Sequence, residues 1–508
     1  MALLVFLLTC AFLSVWVKLK RKKYSPLPPG PPPEPLLGHL RLIPGDHQDA
    51  LFYEWGKIYG DVFHLRVLGR SIIVLNSAEA AVDLLDKRSA NYSDRPHFVV
   101  FELMGWMRSL TFMGYGKLFQ RHRRLLQGHL NSKKCETYHP IQARETRVLL
   151  QNLVLNEEGR DDFIRRFSTA IIMRVAYGHQ ITSDDDPYID ITEHASHALG
   201  NVGAPGSTPV DYFPFLRYLP SWFPGTFYAG FARDNKTVID TMHDYPFARV
   251  QKDIAEGKGK PSFVADHLEK MHREGLVDPD ALVDIKGAAA VMYCAGAETT
   301  WSTLSYFFFA MVLHPECQRR AQDEIDAVIG FGRLPEFNDR LSLPYVESVF
   351  QEVLRWHGAV PLGVPHLSME DDIYRGMFIP KRSLIIANTR GMTLDERVYA
   401  DPHTFNPTRY LPKPEGNNEP HPVGPFGFGR RICPGRHLAD ASVWIAIASI
   451  LATLTISKAT SDDGKEITPE LSLSNGIVSQ LQPYKCRIRP RNERARSLII
   501  QADIWDDY

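Results

Sequence analysis

PFGFGRRICPGRH, residues 425–437, holds one cysteine among three glycines and three arginines. Gly427, Gly429 and Gly435 permit backbone turns and close approaches that a Cβ would block. Pro434 suits the first turn of a helix, so Cys433 is expected at a helix N-terminus. Free amides and the positive end of the helix dipole there favour a thiolate over a thiol. Arg430, Arg431 and Arg436 add positive charge, which suits an anionic partner. The expected design is a tight loop presenting one sulfur to something flat and large. Two other readings stand beside it. A lone cysteine is commonly a buried structural residue. Zinc through Cys433 and His437 would need two further ligands, and no second pair is evident.

The long apolar run after this loop predicts a helix over 435–454 that crosses the core. Upstream, Asp278–Pro279 reads as an N-cap followed by proline, and the helix it opens runs to Leu313, stopped by His314–Pro315. Such a helix is ~50 Å long at about 1.5 Å per residue. Its middle, Ile285–Tyr293, is nearly all apolar and should be buried. Residues 315–329 predict a charged surface helix closed by Gly330, and residues 344–357 an amphipathic one closed by Gly358. Residues 62–68 and 71–75 predict a hairpin turning at Gly69–Arg70. The body therefore reads as mainly α with a small β portion.

The chain has 508 residues, 44% of them hydrophobic, enough for a large core. No linker, repeat or low-complexity break interrupts it after residue 40, so one large domain is expected over 39–490, followed by a tail over 491–508. Net charge is -1, with 58 basic and 59 acidic residues. That balance argues against nucleic acid as a partner. The six cysteines are scattered and fit a reducing compartment better than a disulfide framework. Sequons at Asn91 and Asn235 are then chance matches.

Residues 1–17, MALLVFLLTCAFLSVWV, carry no charge, and Lys18, Lys20, Arg21, Lys22 and Lys23 follow. A secretory signal would place its basic segment first and end in a small-residue cleavage site. The order here predicts one transmembrane helix over 1–17, suited to a thin bilayer such as the endoplasmic reticulum, with the domain on the cytosolic side. The basic and proline-rich stretch 18–38 reads as a semi-rigid linker.

Four separated stretches carry a family resemblance. Phe426, Gly429, Arg431, Cys433 and Gly435 stand at the spacing of the cysteine loop of the cytochrome P450 family. Ala295-Gly296-Ala297-Glu298-Thr299-Thr300 resembles that family's oxygen-activation segment. Glu352 and Arg355 resemble its Glu-x-x-Arg pair, and Pro407-Thr408-Arg409-Tyr410 its Pro-x-Arg-aromatic segment. Arg123 matches the arginine of its Trp-x-x-x-Arg helix, although Phe119 stands in the tryptophan place and Gln120 in that of the usual arginine. The resemblance covers residues 26–490. It is closest to the membrane-anchored microsomal branch, and within it to fungal monooxygenases of secondary metabolism of the O-methylsterigmatocystin oxidoreductase-like kind.

The resemblance implies the cytochrome P450 fold and the cofactor heme b (iron protoporphyrin IX). It implies Cys433 as axial ligand of the haem iron, with Phe426 and Gly427 also binding the cofactor and Phe426 shielding the sulfur from water. Arg431, Arg123 and His366 are implied contacts of the haem carboxylates. Thr299 and Glu298 are the implied proton path; Thr299 taken alone reads rather as bonding its own helix backbone, and it is the company of Cys433 that favours the path. Glu352, Arg355 and Arg409 are the implied structural trio that locks the cysteine loop to the core. The implied partners are O2, a hydrophobic small molecule and NADPH-cytochrome P450 reductase, docked near Arg430 or Arg436. The substrate would lie between residues 98–111, 289–297, 360–364 and 476–478. A same-fold isomerase or dehydratase without a reductase, and a non-catalytic haem protein, are the alternatives.

Overall fold

The computed structural model describes residues 25–202, 206–275, 278–474 and 476–501. The helix expected over 1–17 lies outside them. No described helix is long and apolar enough to cross a membrane.

The elements that position the site are as follows, in chain order. Helix α1 (Gln48–Tyr59) precedes strands β1 (Val62–Val67) and β2 (Arg70–Leu75). Helices α2 (Lys117–Leu130), α3 (His139–Leu155), α4 (Arg160–Tyr177) and α5 (Pro187–Asn201) follow. Then come α6 (Pro279–Leu313), α7 (Pro315–Val328) and α8 (Pro344–Trp356). Strands β3 (His366–Leu367) and β4 (Leu384–Ala387) lead to α9 (Arg436–Thr453). Strands β5 (Leu454–Thr460) and β6 (Cys486–Pro490) and helix α10 (Glu493–Gln501) complete the set.

Helix α6 is the axis of the molecule. Asp278 caps it by accepting the Asp280 N–H at 2.9 Å, Pro279 occupies its first turn, and Pro315 stops it. Residues 287–294 are buried on every side, which its apolar sequence allows. It packs along α4 and also meets α2, α5, α8, α9 and β5. Helix α9 is buried along most of its length and ends where Leu454 enters β5.

The small sheet has the order β1-β2-β4-β3, with β2 and β4 parallel. Its hairpin turns at Leu68–Gly69, not at Gly69–Arg70. Both turn residues have positive φ, 47° and 86°. Such a two-residue turn matches the right-handed twist of the strands it joins. The proline-rich stretch is laid along β1: His64 N–H donates to the Pro29 carbonyl at 2.8 Å, and a Cβ on Gly30 would meet the His64 oxygen at 2.1 Å. At the other end α10 seats Ala495 and Ile499 in the interior.

Both sequon asparagines use their side-chain amides inside the fold. Asn91 donates to the Glu370 carbonyl and accepts the Met369 and Glu370 N–H groups. Asn235 donates to the Phe231 carbonyl at 2.9 Å.

Candidate active site

The cysteine loop is held by its own backbone. Cys433 N–H donates to the Phe426 carbonyl at 2.8 Å, and Gly427 N–H to that of Gly424 at 2.8 Å. Gly429 has φ +54°, and a Cβ there would sit 2.0 Å from the Leu85 oxygen, so only glycine fits. Helix α9 begins at Arg436, with Gly435 as its cap, so Pro434 lies just before the first turn rather than within it. The amides still reach the sulfur. Burial pushes the Cys433 thiol up, while the Gly435 and Arg436 N–H groups and the Arg123 and Arg436 charges pull it down.

Cys433 faces an internal cavity also lined by Phe426, Gly427, Thr299, Glu298, Arg123, Arg431 and His366. The sequence-predicted site residues from four distant stretches thus converge. All four expected substrate segments contribute as well: Leu110 and Thr111, Val291 and Met292, Val360 and Val364, and Ile477 and Val478. Most of this wall is apolar, as a hydrophobic ligand requires.

One rim of the cavity is cationic. The Arg431 guanidinium donates to the carbonyls of Ser93, Leu110 and Met113 at 2.7, 3.3 and 2.8 Å. Burial lowers its pKa to about 10. Arg123 donates to the Ile432 carbonyl beside the cysteine. His366 donates from Nδ1 to the Tyr92 carbonyl at 2.7 Å (this direction follows from the carbonyl being an acceptor). Burial, then the Arg95 charge, hold His366 well below the ordinary histidine range.

Arg95 was missed by sequence reasoning. Its Nη1 donates to the carbonyls of Val364 and Pro365 at 2.6 and 2.8 Å, its Nε to that of Thr111. Burial and the neighbouring Arg431 lower its pKa strongly. Asp94-Arg95-Pro96 carries no motif; only the fold brings it to the rim. Arg95, Arg123, Arg431 and His366 together suit a buried dianion such as a pair of carboxylates. His122 belongs elsewhere: buried, its Nε2 lies 3.1 Å from Asp284 on α6. Gln120 is exposed.

Thr299, which also lines the cavity, donates to its own helix at the Ala295 carbonyl, 2.8 Å away. Glu298 does not bond Thr299. Its carboxylate takes hydrogen bonds from Ser196 of α5 and Gln480. Burial raises its pKa, against the pull of those bonds and of Arg165. Sequence adjacency suggested an acid–alcohol pair; helical geometry turns neighbours apart by about 100°.

The structural trio is a larger network. Arg355 forks onto Glu352 at 2.7 and 2.8 Å, and Arg409 Nε donates to Glu352 at 3.0 Å. Tyr410 and the Asn406 N–H donate to the same carboxylate at 2.8 Å. Arg409 also pairs with Glu419 at 2.7 Å, which balances two buried cations with two anions. The arginines further hold the carbonyls of Thr393, Ala400, Pro402 and Thr404. The network therefore ties the 393–419 segment to α8, and through it the approach to the cysteine loop, rather than gripping the loop itself.

Comparison with known proteins agrees with this geometry. Residues 28–487 match the Cytochrome P450 family. Cytochrome P450 monooxygenase 136 of Postia placenta is 41% identical over 503 residues, covering 97% of this chain and 94% of that protein. Cytochrome P450 monooxygenase claR of Ampulloclitocybe clavipes is 39% identical, covering 93% and 88%. Cytochrome P450 monooxygenase ple1 of Rhodocybe pseudopiperita is 37% identical, covering 96% and 94%. With Cys433 facing a largely apolar cavity rimmed by three arginines and His366, and with these relatives along almost its whole length, the chain belongs to the cytochrome P450 family, whose monooxygenases bind heme b.

Proposed function

We propose that this P450 monooxygenase inserts one oxygen atom of O2 into a hydrophobic small molecule of secondary metabolism, with electrons from NADPH-cytochrome P450 reductase. The observation that carries the reading is the convergence of Cys433 and Thr299 on one largely apolar cavity with a cationic rim. Haem b, when bound, supplies the iron centre that activates dioxygen. Cys433 would hold its iron as a thiolate, with the Gly435 and Arg436 amides stabilising the sulfur's charge. Arg95, Arg123, Arg431 and His366 hold its carboxylates.

Thr299 turns its hydroxyl from the Ala295 carbonyl into the cavity and passes a proton towards the ligand side. Glu298, kept protonated more readily by burial, stores the next proton, with Ser196 and Gln480 fixing its orientation. The apolar wall excludes water from the oxidised carbon. Residues 1–17 anchor the chain in the endoplasmic reticulum membrane with the domain cytosolic. Exposed Arg430, which donates to the Tyr115 hydroxyl at 2.7 Å, meets the reductase. Arg436 donates to the Cys433 carbonyl at 3.2 Å and serves the loop instead.

The reduced carbon monoxide adduct of the full-length protein should show the thiolate-type absorption band, and Cys433→Ala should abolish it. Persistence of the band would remove the ligand assignment. Product formation in membranes should need both NADPH and the reductase. Turnover without them would point to a same-fold isomerase or dehydratase.

A further inference from the structure

A second cavity, of about 850 Å³, adjoins the first: Arg95 lines one, and the next three residues, Pro96 to Phe98, line the other. Its walls are the proline-rich stretch, the hairpin end of β1 and β2, residues 96–98, and the turn before β4. Four cations line it, Arg66, Arg70, Lys381 and Arg382, and no carboxylate does so among the described residues. Among the described residues Arg66, Lys381 and Arg382 make no ion pair, although Arg88, Arg217, Arg375 and Arg397 all do, and Arg70 acts on the Asp211 carboxyl. Acidic residues are not scarce: the chain has 59 for 58 basic ones. The three unpaired charges beside Arg70 are a local arrangement.

The scaffold beneath them is fixed. His39 N–H donates to the Arg66 carbonyl at 2.7 Å, and Arg66 N–H donates to His39 Nδ1 at 2.8 Å. Arg382 has φ +61°, unfavourable for a residue with a Cβ, and its N–H is held by the Ser368 carbonyl at 2.8 Å. Arg70 spends one N–H on the Asp211 carbonyl, and its guanidinium lies 4.8 Å from the Tyr212 ring centre. The side-chain N–H groups of Arg66, Lys381 and Arg382 meet no acceptor among the described residues.

Four like charges around one hollow repel, and an anion between them removes that cost. Guanidinium forks fit the oxygens of a phosphate. Leu27, Phe98, Tyr212 and Leu384 add apolar surface beside the charges, which suits a phosphate carrying an organic group. We propose that this cavity is a phosphate-binding site, taking a lipid phosphate headgroup or a soluble phosphomonoester. The lipid source is favoured by the sequence: Leu27 lies four residues after the basic run that ends at Lys23, which itself follows the uncharged stretch 1–17. The proposal does not depend on the oxidation chemistry.

The test is calorimetric titration of full-length holoprotein in non-ionic detergent with dihexanoyl phosphatidic acid and with glycerol 3-phosphate. The comparison is the triple variant Arg66→Gln/Lys381→Gln/Arg382→Gln. Saturable binding of phosphatidic acid, weakened about tenfold or more in the variant, supports the lipid source. Equal affinity for glycerol 3-phosphate with the same loss supports the soluble source. Failure of both probes to saturate, or unchanged affinity in the variant, overturns the proposal. Near-ultraviolet circular dichroism checks that the variant is folded; if it is not, Lys381→Glu alone carries the test, because its side chain is exposed and unpaired.

Discussion

The Phe119 ring lies 3.8 Å from the Arg431 guanidinium, which sits over its face. Phe119 occupies the place of a tryptophan in the family's Trp-x-x-x-Arg helix. It has no N–H to offer a carboxylate, but its face supports Arg431 of the cysteine loop. The departure from the pattern exchanges a hydrogen bond for a cation–π contact. Phe119→Ala should lower haem content after purification and destabilise the fold by about 3–5 kcal/mol. Denaturant unfolding and the haem-to-protein ratio measure both. Phe119→Trp should keep haem.

Glu352→Ala strands the fully buried Arg355 and leaves the buried Arg409 with Glu419 alone. The expected loss is about 3–5 kcal/mol, enough to leave little folded protein. Glu419→Ala removes only the second partner of Arg409 and should cost less. A denaturant series on the two variants checks the order; equal losses would contradict the central position of Glu352.

Glu298 supplies a pH signature. Burial raises its folded-state pKa above the ordinary 4.5. Between 4.5 and the folded value, the native state keeps a proton that the unfolded state has released. Stability from this group is therefore full below 4.5 and declines as pH rises through that window. Glu298→Gln should flatten this part of the stability curve, while keeping amide bonds to Ser196 and Gln480. An unchanged slope would show that the carboxyl titrates normally.

If the proposed proton path holds, Thr299→Ala should leave electron consumption in place while diverting it to peroxide, because the variant lacks the hydroxyl on that path. The ratio of product to NADPH consumed measures this. Thr299→Ser should restore most of the coupling. Tight coupling in the alanine variant would count against the proton path.

Charge reversal at Arg430 should slow reduction by the reductase with little effect on substrate binding. Stopped-flow reduction and a substrate-binding titration separate the two. Equal reduction rates would remove Arg430 from the docking surface.

Much of the site was legible because its parts are local. The cysteine loop depends on glycines at fixed offsets. The Glu352–Arg355 fork is an i,i+3 contact on one helix. The long helix is bounded by an N-cap, a first-turn proline and a stop proline within its own sequence. What escaped was set by contacts distant in sequence. Arg95 sits in no motif and reaches the rim only because residues 364 and 365 offer it carbonyls. Glu419 completes a charge balance that the Glu352 trio alone leaves open.

By itself, the sequence determined the family, the cysteine loop, the central helix and the Glu352, Arg355 and Arg409 members of the buried ion network, since each follows from spacing along the chain. The tertiary structure alone decided which partners those residues take. Glu298 turns to Ser196 and Gln480 rather than to Thr299, because successive residues of a helix point in different directions and the neighbouring elements supply the donors. Arg66, Arg70, Lys381 and Arg382 surround one cavity, because β1, β2 and the turn before β4 meet in one sheet. Hydrogen bonds and charges act over a few ångströms of space, and only folding brings distant residues that close.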